Sequence, residues 1–402
     1  MSLLDLLSDE TVWGKFYEYK LSLACPKRFA GELRRFIDEK RYLPICEGIN
    51  AGGDFPLPRK SVISKTGSDK KRTVYTYPGD ENTVLKLLTW MILRKYDGIF
   101  NRGLYSFRPG RTAKDAVRDL LKTGVVMKSY SYKVDIRDYF NSVPVARLLP
   151  MLKNVLEDDP RLYSFLEKLL LETRVSDRGK VTVERKGIMA GTPLSSFYAD
   201  LYLSELDRYF DAAGVIYARY SDDIIVFSPD EAEVKKHACF IRSFLDENSL
   251  TVNPAKENFG DPGDGFVFLG FSCADGRVDI APSTLKKLKQ KMRRKRDALA
   301  RWQKRSGLGG EKAARAFIRI FNRKLLESPA DNELSWSHWF FPVISTSDSL
   351  HEIDLYAQDC LRYLISGKHT KARFNVRYED LKALGFRSLV NAYYERIADT
   401  NG

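Results

Sequence analysis

The sequence contains few residues of the kinds that build disulfide frameworks or transition-metal sites. Its 402 residues include five cysteines and four histidines. The cysteines are odd in number, scattered along the chain and without C-x-x-C spacing, and no histidine pairs with another at ligand spacing. These absences exclude a disulfide framework and a zinc site. We therefore expect reduced thiols and a cytoplasmic location.

Long apolar runs and targeting signals are also missing. The apolar run from Leu87 to Leu93 is far shorter than the about 20 residues that a membrane-spanning helix needs. The N-terminal segment is acidic and lacks the basic region that opens a secretory signal. We expect neither a signal peptide nor a membrane partner, and we find no internal repeats.

Positive charge is abundant but concentrated in one segment. The net charge of +13 favours an anionic partner, with nucleic acid first and a membrane surface second. The segment Lys286–Arg305 contains 11 Lys or Arg and one acidic residue, so it holds +10 of that charge. A long basic helix is often only a solvated surface. The concentration of charge here favours contact with a nucleic-acid backbone.

An apolar seam accompanies this basic segment. It recurs at heptad spacing through Leu285, Leu288, Met292, Leu299 and Trp302. The spacing predicts a long helix with one buried side. The predicted backbone contacts on its basic face are Lys286, Lys287, Lys291 and Arg294.

Two adjacent aspartates interrupt an apolar segment at residues 215–228. Strand-forming runs flank Ser221, Asp222 and Asp223, which predicts a β-hairpin with carboxylates at its tip. Neighbouring carboxylates repel unless a proton or a cation compensates, and aspartate oxygens suit Mg²⁺. Aspartate is also common in ordinary turns. The hairpin alone leaves both interpretations open.

Three other segments have candidate chemistry. A predicted strand over residues 129–135 ends on Asp135, and strand ends are common places for catalytic carboxylates. The basic strand-turn-strand around Lys65 is either a flap that grips a triphosphate or a solvated sheet edge. The glycine- and arginine-rich segment 102–111 precedes a helix that Thr112 can cap, an arrangement that suits phosphate contact.

Hydrophobic periodicity predicts a mixture of helices and strands. Helices are expected over residues 80–100, 113–123, 148–171, 195–211 and 230–248 and through most of 313–402. Strands are expected over residues 129–135, 251–256 and 265–271, with a hairpin over 173–184.

The order of these motifs resembles the palm and thumb of a reverse transcriptase over roughly residues 60–310. Tyr220-Ser-Asp-Asp223 resembles the Y-x-D-D box, and Asp135-Ile-Arg-Asp-Tyr-Phe140 resembles the first catalytic box. Tyr105-Ser-Phe-Arg-Pro-Gly-Arg111 resembles the G-F-R-P-G-R block of bacterial retroelement enzymes, with Ser106 replacing glycine. Phe268-Leu-Gly-Phe271 resembles the primer-grip strand.

The resemblance implies an α+β right-hand polymerase with fingers, a palm and a helical thumb. The antiparallel sheet of the palm would hold the Asp-Asp hairpin. The implied domains are an N-terminal helical segment (1–58), fingers (59–130, completed by 146–186), palm (131–275), and thumb with C-terminal extension (280–402).

The resemblance to reverse transcriptases also implies nucleotidyl transfer assisted by two Mg²⁺ ions, with Mn²⁺ as an alternative. Asp135, Asp222 and Asp223, with the main-chain carbonyl of Ile136, would hold the metal. Lys256 lies where the family keeps a lysine that can protonate the leaving pyrophosphate.

Substrate contacts follow from the same motifs. Phe140 would lie under the sugar and exclude a 2′-hydroxyl, although a core phenylalanine is the plain alternative. The implied dNTP contacts are Lys65, Arg72, Phe140 and Gly191. Besides the thumb residues, the implied primer and template contacts are Arg108, Arg111, Ser195, Tyr220, Phe268, Leu269 and Gly270.

The C-terminal tail, including Lys382–Tyr394, resembles the "unknown group" and abortive-infection reverse transcriptases of bacteria. That implies a role in antiphage defence with a structured non-coding RNA as template, a DNA or RNA primer, and dNTPs. Ala190 stands where related enzymes have a glutamine. Template-independent or protein-primed DNA synthesis therefore stays open, as does a maturase-like RNA-binding role. The oligomeric state is not predicted.

Overall fold

The computed structural model describes residues 1–23, 25–64, 71–184, 187–327 and 336–401. Lys65, which belongs to the predicted flap, lies outside the described residues. The chain forms two compact units. The first combines Met1–Leu21 with Arg28–Leu269, and the second combines Ser22–Lys27 with Gly270–Gly402.

The helices that begin before residue 269 surround an extensive apolar core. They are α1 (Glu10–Ser22), α2 (Lys27–Asp38), α3 (Leu43–Asn50), α4 (Gly79–Lys95), α5 (Ala113–Lys122), α6 (Tyr139–Ser142), α7 (Val145–Val155), α8 (Pro160–Leu171), α9 (Ser195–Tyr202), α10 (Ser204–Ala212) and α11 (Glu231–Glu247). Thr112 caps α5 as predicted, because its side chain accepts a hydrogen bond from the Asp115 backbone N–H.

The strands of the first unit belong mainly to two sheets. They are β1 (Arg59–Ser64), β2 (Lys71–Thr76), β3 (Tyr130–Asp135), β4 (Arg174–Asp177), β5 (Lys180–Val183), β6 (Ile216–Tyr220), β7 (Asp223–Ser228), β8 (Asn258–Gly260) and β9 (Phe266–Phe268). One sheet has the order β2-β1-β4-β5 and the other has the order β6-β7-β3-β8.

The β6-β7-β3-β8 sheet positions the predicted catalytic residues. Its β3 strand pairs antiparallel with both β7 and β8 and is therefore central. Most of β3 and β7 is buried, and α11 packs against both strands. The last residue of β3 and the first residue of β7 consequently meet at one end of the sheet.

The second unit is mainly helical. It contains the antiparallel hairpin of β10 (Phe271–Ala274) and β11 (Arg277–Ile280). Its helices are α12 (Pro282–Ser306), α13 (Gly310–Leu325), α14 (Trp336–Phe340), α15 (Asp348–Ser366), α16 (Tyr378–Ala383) and α17 (Leu389–Asn401). The long basic helix α12 packs against α13 and α15.

The predicted apolar seam of α12 is confirmed at Leu285, Met292 and Leu299, which are buried. It is wrong at Trp302, whose side chain is 37% exposed. A straight helix has 3.6 residues per turn, so a seven-residue repeat drifts by about 20° per heptad. Late positions of the repeat therefore leave the buried side.

The predicted α+β class with antiparallel sheets is confirmed, and four local predictions need correction. The helix expected over residues 148–171 is two helices, α7 and α8, separated by residues 156–159. The helix expected over residues 195–211 is two helices, α9 and α10, with a break at Leu203. The strand expected over 251–256 is instead a single bridge at Val252 followed by a 3₁₀ turn, because Pro254 lacks the N–H that a strand ladder needs. The strand expected over 265–271 divides into β9 and β10 around Leu269 and Gly270, which both have positive φ.

Among the helices in the described ranges, none combines the length and apolar character needed to cross a bilayer.

Candidate functional site

Three aspartates form a dense carboxylate cluster at the end of the β6-β7-β3-β8 sheet. Asp135, the last residue of β3, pairs directly with Asp223, the first residue of β7. Asp222 precedes it in the hairpin loop, and carboxylate oxygens of all three residues lie within 4.8 Å of one another. Burial, followed by the charges of Asp135 and Asp223, raises the pKa of Asp222 to about 6. The cluster therefore favours a cation over three bare charges.

The hairpin loop is as short as a β-hairpin allows. Tyr220 pairs with Asp223, which leaves Ser221 and Asp222 alone at the turn. Ser221 has a φ of 60°, in the left-handed region that two-residue hairpin loops require and that serine rarely adopts. Its backbone N–H donates a hydrogen bond of 2.9 Å to Ser106 Oγ. The N–H of Ile136 donates to the Asp222 carbonyl oxygen at 3.2 Å, so both sides of the tip are held.

Asp135 is 3% exposed and has fixed partners for both carboxylate oxygens. Asn253 Nδ2 donates to Oδ1 at 3.0 Å, and Lys256 Nζ pairs with Oδ2. Burial lowers the pKa of Lys256, but the hydrogen bond and charge of Asp135 outweigh it, so the pKa is raised on balance. Lys256 ends the 3₁₀ turn Pro254–Lys256, which lies where a strand was predicted, and this turn places the ammonium group beside the carboxylates.

A buried arginine supports the hairpin from behind. Arg219, on β6, is fully buried and donates to both carboxylate oxygens of Asp207 at 2.8 and 2.5 Å. Its guanidinium also donates to the carbonyl oxygens of Asp200 at 3.0 Å and Ser221 at 3.3 Å. The Tyr217 hydroxyl donates to the same Asp207 carboxylate at 2.9 Å. Helix α10 and the hairpin are thus joined by paired charges.

Ser106 completes this support. Its hydroxyl donates to Asp200 Oδ1 at 2.7 Å while accepting from the Ser221 N–H. Asp200 is fully buried on α9, and burial raises the pKa of its carboxyl group to about 8. Ser106, which stands where the G-F-R-P-G-R block has a glycine, therefore links α9 to the hairpin loop.

Sequence reasoning missed Ser106, Asp200, Asp207 and Arg219. An arginine inside the apolar run of β6 was the available signal, because a buried charge needs a partner. The identity of that partner depends on which helices pack behind the strand. The sequence pattern did not contain that information.

The predicted dNTP contacts among the described residues are linked through β2: Arg72 on that strand lies beside Phe140, and Gly191 packs against the same strand. The guanidinium carbon of Arg72 lies 5.9 Å from the centre of the Phe140 ring. Phe140 is half-buried against the core, and its carbonyl oxygen accepts from the Ile188 N–H at 2.9 Å. Gly191 has a φ of 101°, and an added Cβ would lie 3.0 Å from the Tyr75 carbonyl oxygen. This glycine lets its loop approach β2, the strand of Arg72.

Some predicted primer and template contacts use their polar groups internally. The Arg108 side chain is 8% exposed and pairs with both carboxylate oxygens of Asp97 at 2.8 and 3.0 Å. Ser195 is buried, and its hydroxyl donates to the Thr192 carbonyl oxygen at 2.7 Å. Both residues hold loops in place in this structure.

The other predicted contacts differ in exposure. Arg111 is half-buried, and its guanidinium carbon lies 5.1 Å from the centre of the Tyr105 ring. Tyr220, Leu269 and Gly270 are half-buried, whereas Phe268 is fully buried in β9. In the second unit the predicted basic contacts are all exposed: Lys286, Lys287, Lys291 and Arg294.

Comparison with known families agrees with this geometry. The family of "Reverse transcriptase (RNA-dependent DNA polymerase)" matches residues 63–273, a region that contains all three aspartates. The chain belongs to the reverse transcriptase family. The right-hand polymerase fold class predicted from the sequence is therefore confirmed.

Two curated proteins are similar to parts of this chain. An uncharacterized 91 kDa protein in a cob intron of Schizosaccharomyces pombe is 27% identical over 163 residues, 39% of this chain and 19% of that protein. The retron Ec86 reverse transcriptase of Escherichia coli is 23% identical over 238 residues, 58% of this chain and 68% of that enzyme. The match thus spans about a fifth of the first relative and about two thirds of the second.

Solved structures similar to the chain include two yeast telomerases. A Candida tropicalis apo telomerase truncated from its C-terminal domain has a TM-score of 0.44 and 14% identity, covering 56% of this chain and 55% of its own. A Candida albicans telomerase in complex with a fragment of telomeric RNA has a TM-score of 0.44 and 11% identity. The match covers 89% of this chain and 71% of the telomerase chain.

Replacement of Arg219 by methionine tests the support behind the hairpin. Arg219→Met keeps most of the volume but leaves Asp207 buried without its cation. Removing one partner of a buried pair costs about 3–5 kcal/mol. We expect the free energy of unfolding of the first unit to fall by that amount in urea titrations of the full chain. Arg35→Met, at an exposed position on α2, is the control and is expected to stay within about 0.5 kcal/mol. Equal midpoints for both variants would contradict this role.

Proposed function

We propose that this protein is an RNA-directed DNA polymerase that adds deoxynucleotides to a 3′-hydroxyl by two-metal catalysis. The main supporting observation is the cluster of Asp135, Asp222 and Asp223, whose carboxylate oxygens lie within 4.8 Å of one another. The cluster lies within the region that matches the reverse transcriptase family. Carboxylates held this close repel one another unless a cation or a proton lies among them.

The donor set fits a hard divalent cation. It consists of carboxylate oxygens, the ligands that Mg²⁺ prefers, and Mn²⁺ accepts the same set. Asp135, Asp222 and Asp223, with the Ile136 carbonyl, would hold the metal. When bound, the ions supply activation of the 3′-hydroxyl and neutralisation of the triphosphate.

The basic residues beside the cluster have complementary roles. Lys256 lies against Asp135 with a raised pKa, so it is protonated and can donate a proton to the leaving pyrophosphate. Arg72 lies beside Phe140, where its guanidinium can neutralise triphosphate charge. We assign the same role to Lys65, which lies outside the described residues.

Phe140 is our candidate for the residue that selects deoxynucleotides. Its ring is half-buried, adjoins Arg72 and belongs to the short helix that follows Asp135. A ring at this position would clash with a ribose 2′-hydroxyl. Gly191 would shape the same pocket, because only a glycine lets its loop approach β2 closely.

We assign palm to residues 131–275, fingers to 59–130 with 146–186, and thumb with extension to 280–402. The exposed Lys286, Lys287, Lys291 and Arg294 would contact the backbone of the primer–template. Arg111, Tyr220 and the Phe268–Gly270 strand end are the further candidates, whereas Arg108 and Ser195 would act by holding their loops. A structured non-coding RNA template and an antiphage role rest on the resemblance of the C-terminal tail, and a cytoplasmic location rests on the scattered, unpaired cysteines.

Loss of the aspartate pair is the direct test of catalysis. Asp222→Ala with Asp223→Ala should abolish primer extension with dNTPs and Mg²⁺ on an RNA template. Metal-derived charge stabilisation of several kcal/mol corresponds to about 1,000-fold or more in rate. The control changes Asp261 and Asp264, which are exposed, to alanine and should extend primers normally. Continued synthesis by the Asp222/Asp223 variant would exclude this site as the catalytic centre.

Removal of the Phe140 ring tests sugar selection. Phe140→Ala should raise the ratio of ribonucleotide to deoxynucleotide kcat/KM by about tenfold or more, because pocket shape discriminates on this scale. The measurement is single-nucleotide extension with each substrate. If the ratio stays at the wild-type value, Phe140 is a core residue and not a selector.

Charge reversal on α12 tests nucleic-acid binding. Lys287→Glu with Lys291→Glu should weaken binding to an RNA–DNA duplex and reduce the log–log salt slope by about two, one for each lost phosphate contact. Lys15→Glu with Arg35→Glu makes the same charge change at exposed positions of the first unit. If both double variants bind alike at every salt concentration, the α12 face is only solvated.

A further inference from the structure

Phe107 combines an exposed ring with an unfavourable backbone conformation. It has a φ of 54°, in the left-handed region where a bulky residue without hydrogen-bonding groups is an outlier. The residue is nevertheless 38% exposed, so its apolar surface is only partly buried. Strained residues of this kind persist where the surrounding structure determines them, and they cluster at functional sites.

The residues on either side of Phe107 hold its backbone in this conformation. Ser106 bonds to Asp200 and to the Ser221 N–H, while Arg108 pairs with both carboxylate oxygens of Asp97. Both neighbours are therefore anchored by hydrogen bonds to other elements. Phe107 is held between them with its ring directed to one place.

That place is the proposed sugar pocket. The Phe107 ring meets Phe140 edge-on, with centroids 6.5 Å apart and planes at 79°. It also lies 6.4 Å from the ring of Tyr220, which immediately precedes the hairpin loop. Edge-to-face pairs at such separations are attractive and orientation-dependent. Phe107 therefore connects the proposed selector ring to the hairpin that holds the catalytic aspartates.

We propose that Phe107 is a positioning residue for sugar selection, which acts by fixing the orientation of the Phe140 ring. The proposal rests on the proposed polymerase function and extends it. With Arg72 and Phe107 both against the Phe140 ring, rotation of that ring away from an incoming 2′-hydroxyl is opposed. Without Phe107 the Phe140 ring is still present but loses one of the contacts that fix its orientation.

The test removes the Phe107 ring without adding backbone strain. Asparagine tolerates positive φ, so Phe107→Asn is the main variant, and Phe107→Gly serves if the first does not fold. The ratio of ribonucleotide to deoxynucleotide kcat/KM should rise about two- to tenfold, the scale of one aromatic pair. Phe107→Tyr keeps the ring and should retain the wild-type ratio. The control is Phe374→Asn, at a phenylalanine that is 52% exposed in the second unit. It should retain the wild-type ratio of ribonucleotide to deoxynucleotide kcat/KM.

The double variant Phe107→Asn with Phe140→Ala separates positioning from a general structural effect. If Phe107 acts through Phe140, the double variant should show the ratio of Phe140→Ala alone, because the two changes affect one interaction. Additive effects would overturn the proposal. So would an equal loss of kcat/KM for both substrates, which would indicate a template contact.

The proposed function and this inference fail in different ways. If Phe140→Ala raises the ratio while Phe107→Asn and Phe107→Gly do not, the inference is wrong and the polymerase assignment stands. If the wild-type chain extends no primer, or if synthesis survives loss of Asp222 and Asp223, the assignment itself is wrong and the inference falls with it.

Discussion

Mutual repulsion among Asp135, Asp222 and Asp223 is the constraint on which the rest of the first unit depends. Like charges within 4.8 Å separate unless the backbone cannot move and positive charge lies nearby. The antiparallel pairing of β3 with β7 supplies the first condition, since it fixes Asp135 opposite Asp223. Lys256 supplies part of the second, and a divalent cation would supply the remainder.

The support behind the hairpin follows from the same constraint. A two-residue loop with a serine at positive φ is costly, and the loop is held by Ser106 and by the Arg219–Asp207 pair. Arg219 donates hydrogen bonds to the Ser221 carbonyl oxygen and to Asp207, so it ties the hairpin loop to α10. The same Ser106 hydroxyl anchors one end of the segment that presents Phe107.

Part of the backbone strain and polar burial of the first unit lies around this site. Non-glycine residues with positive φ include Phe107, Asp138, Met189 and Ser221, which lie in the loops that border the carboxylates and Phe140. A loop in such a conformation is maintained only by partners on both sides. The arrangement is typical of a site whose groups are oriented before substrate arrives.

Much of the fold was predictable from local pattern. The alternation of side-chain types predicted the bounds of β3 to within one residue, and the capping residue Thr112 predicted the start of α5. The strand expected over residues 251–256 was wrong because periodicity does not register the missing N–H of Pro254. The single helix expected over 195–211 was wrong because the break at Leu203 depends on how α9 and α10 pack.

The sequence by itself indicated which residues are proposed to carry the chemistry, because Asp135, Asp222, Asp223, Lys256 and Phe140 lie in motifs whose order resembles that of the family. It also determined where positive charge accumulates. Only the tertiary structure decided which side chains support that chemistry. Ser106, Asp200, Asp207 and Arg219 come from separate elements, and their pairing depends on helix packing behind a strand. Arg108 appeared as a nucleic-acid contact, but the fold gives it Asp97 as a partner, since a nearly buried guanidinium must be neutralised where it lies.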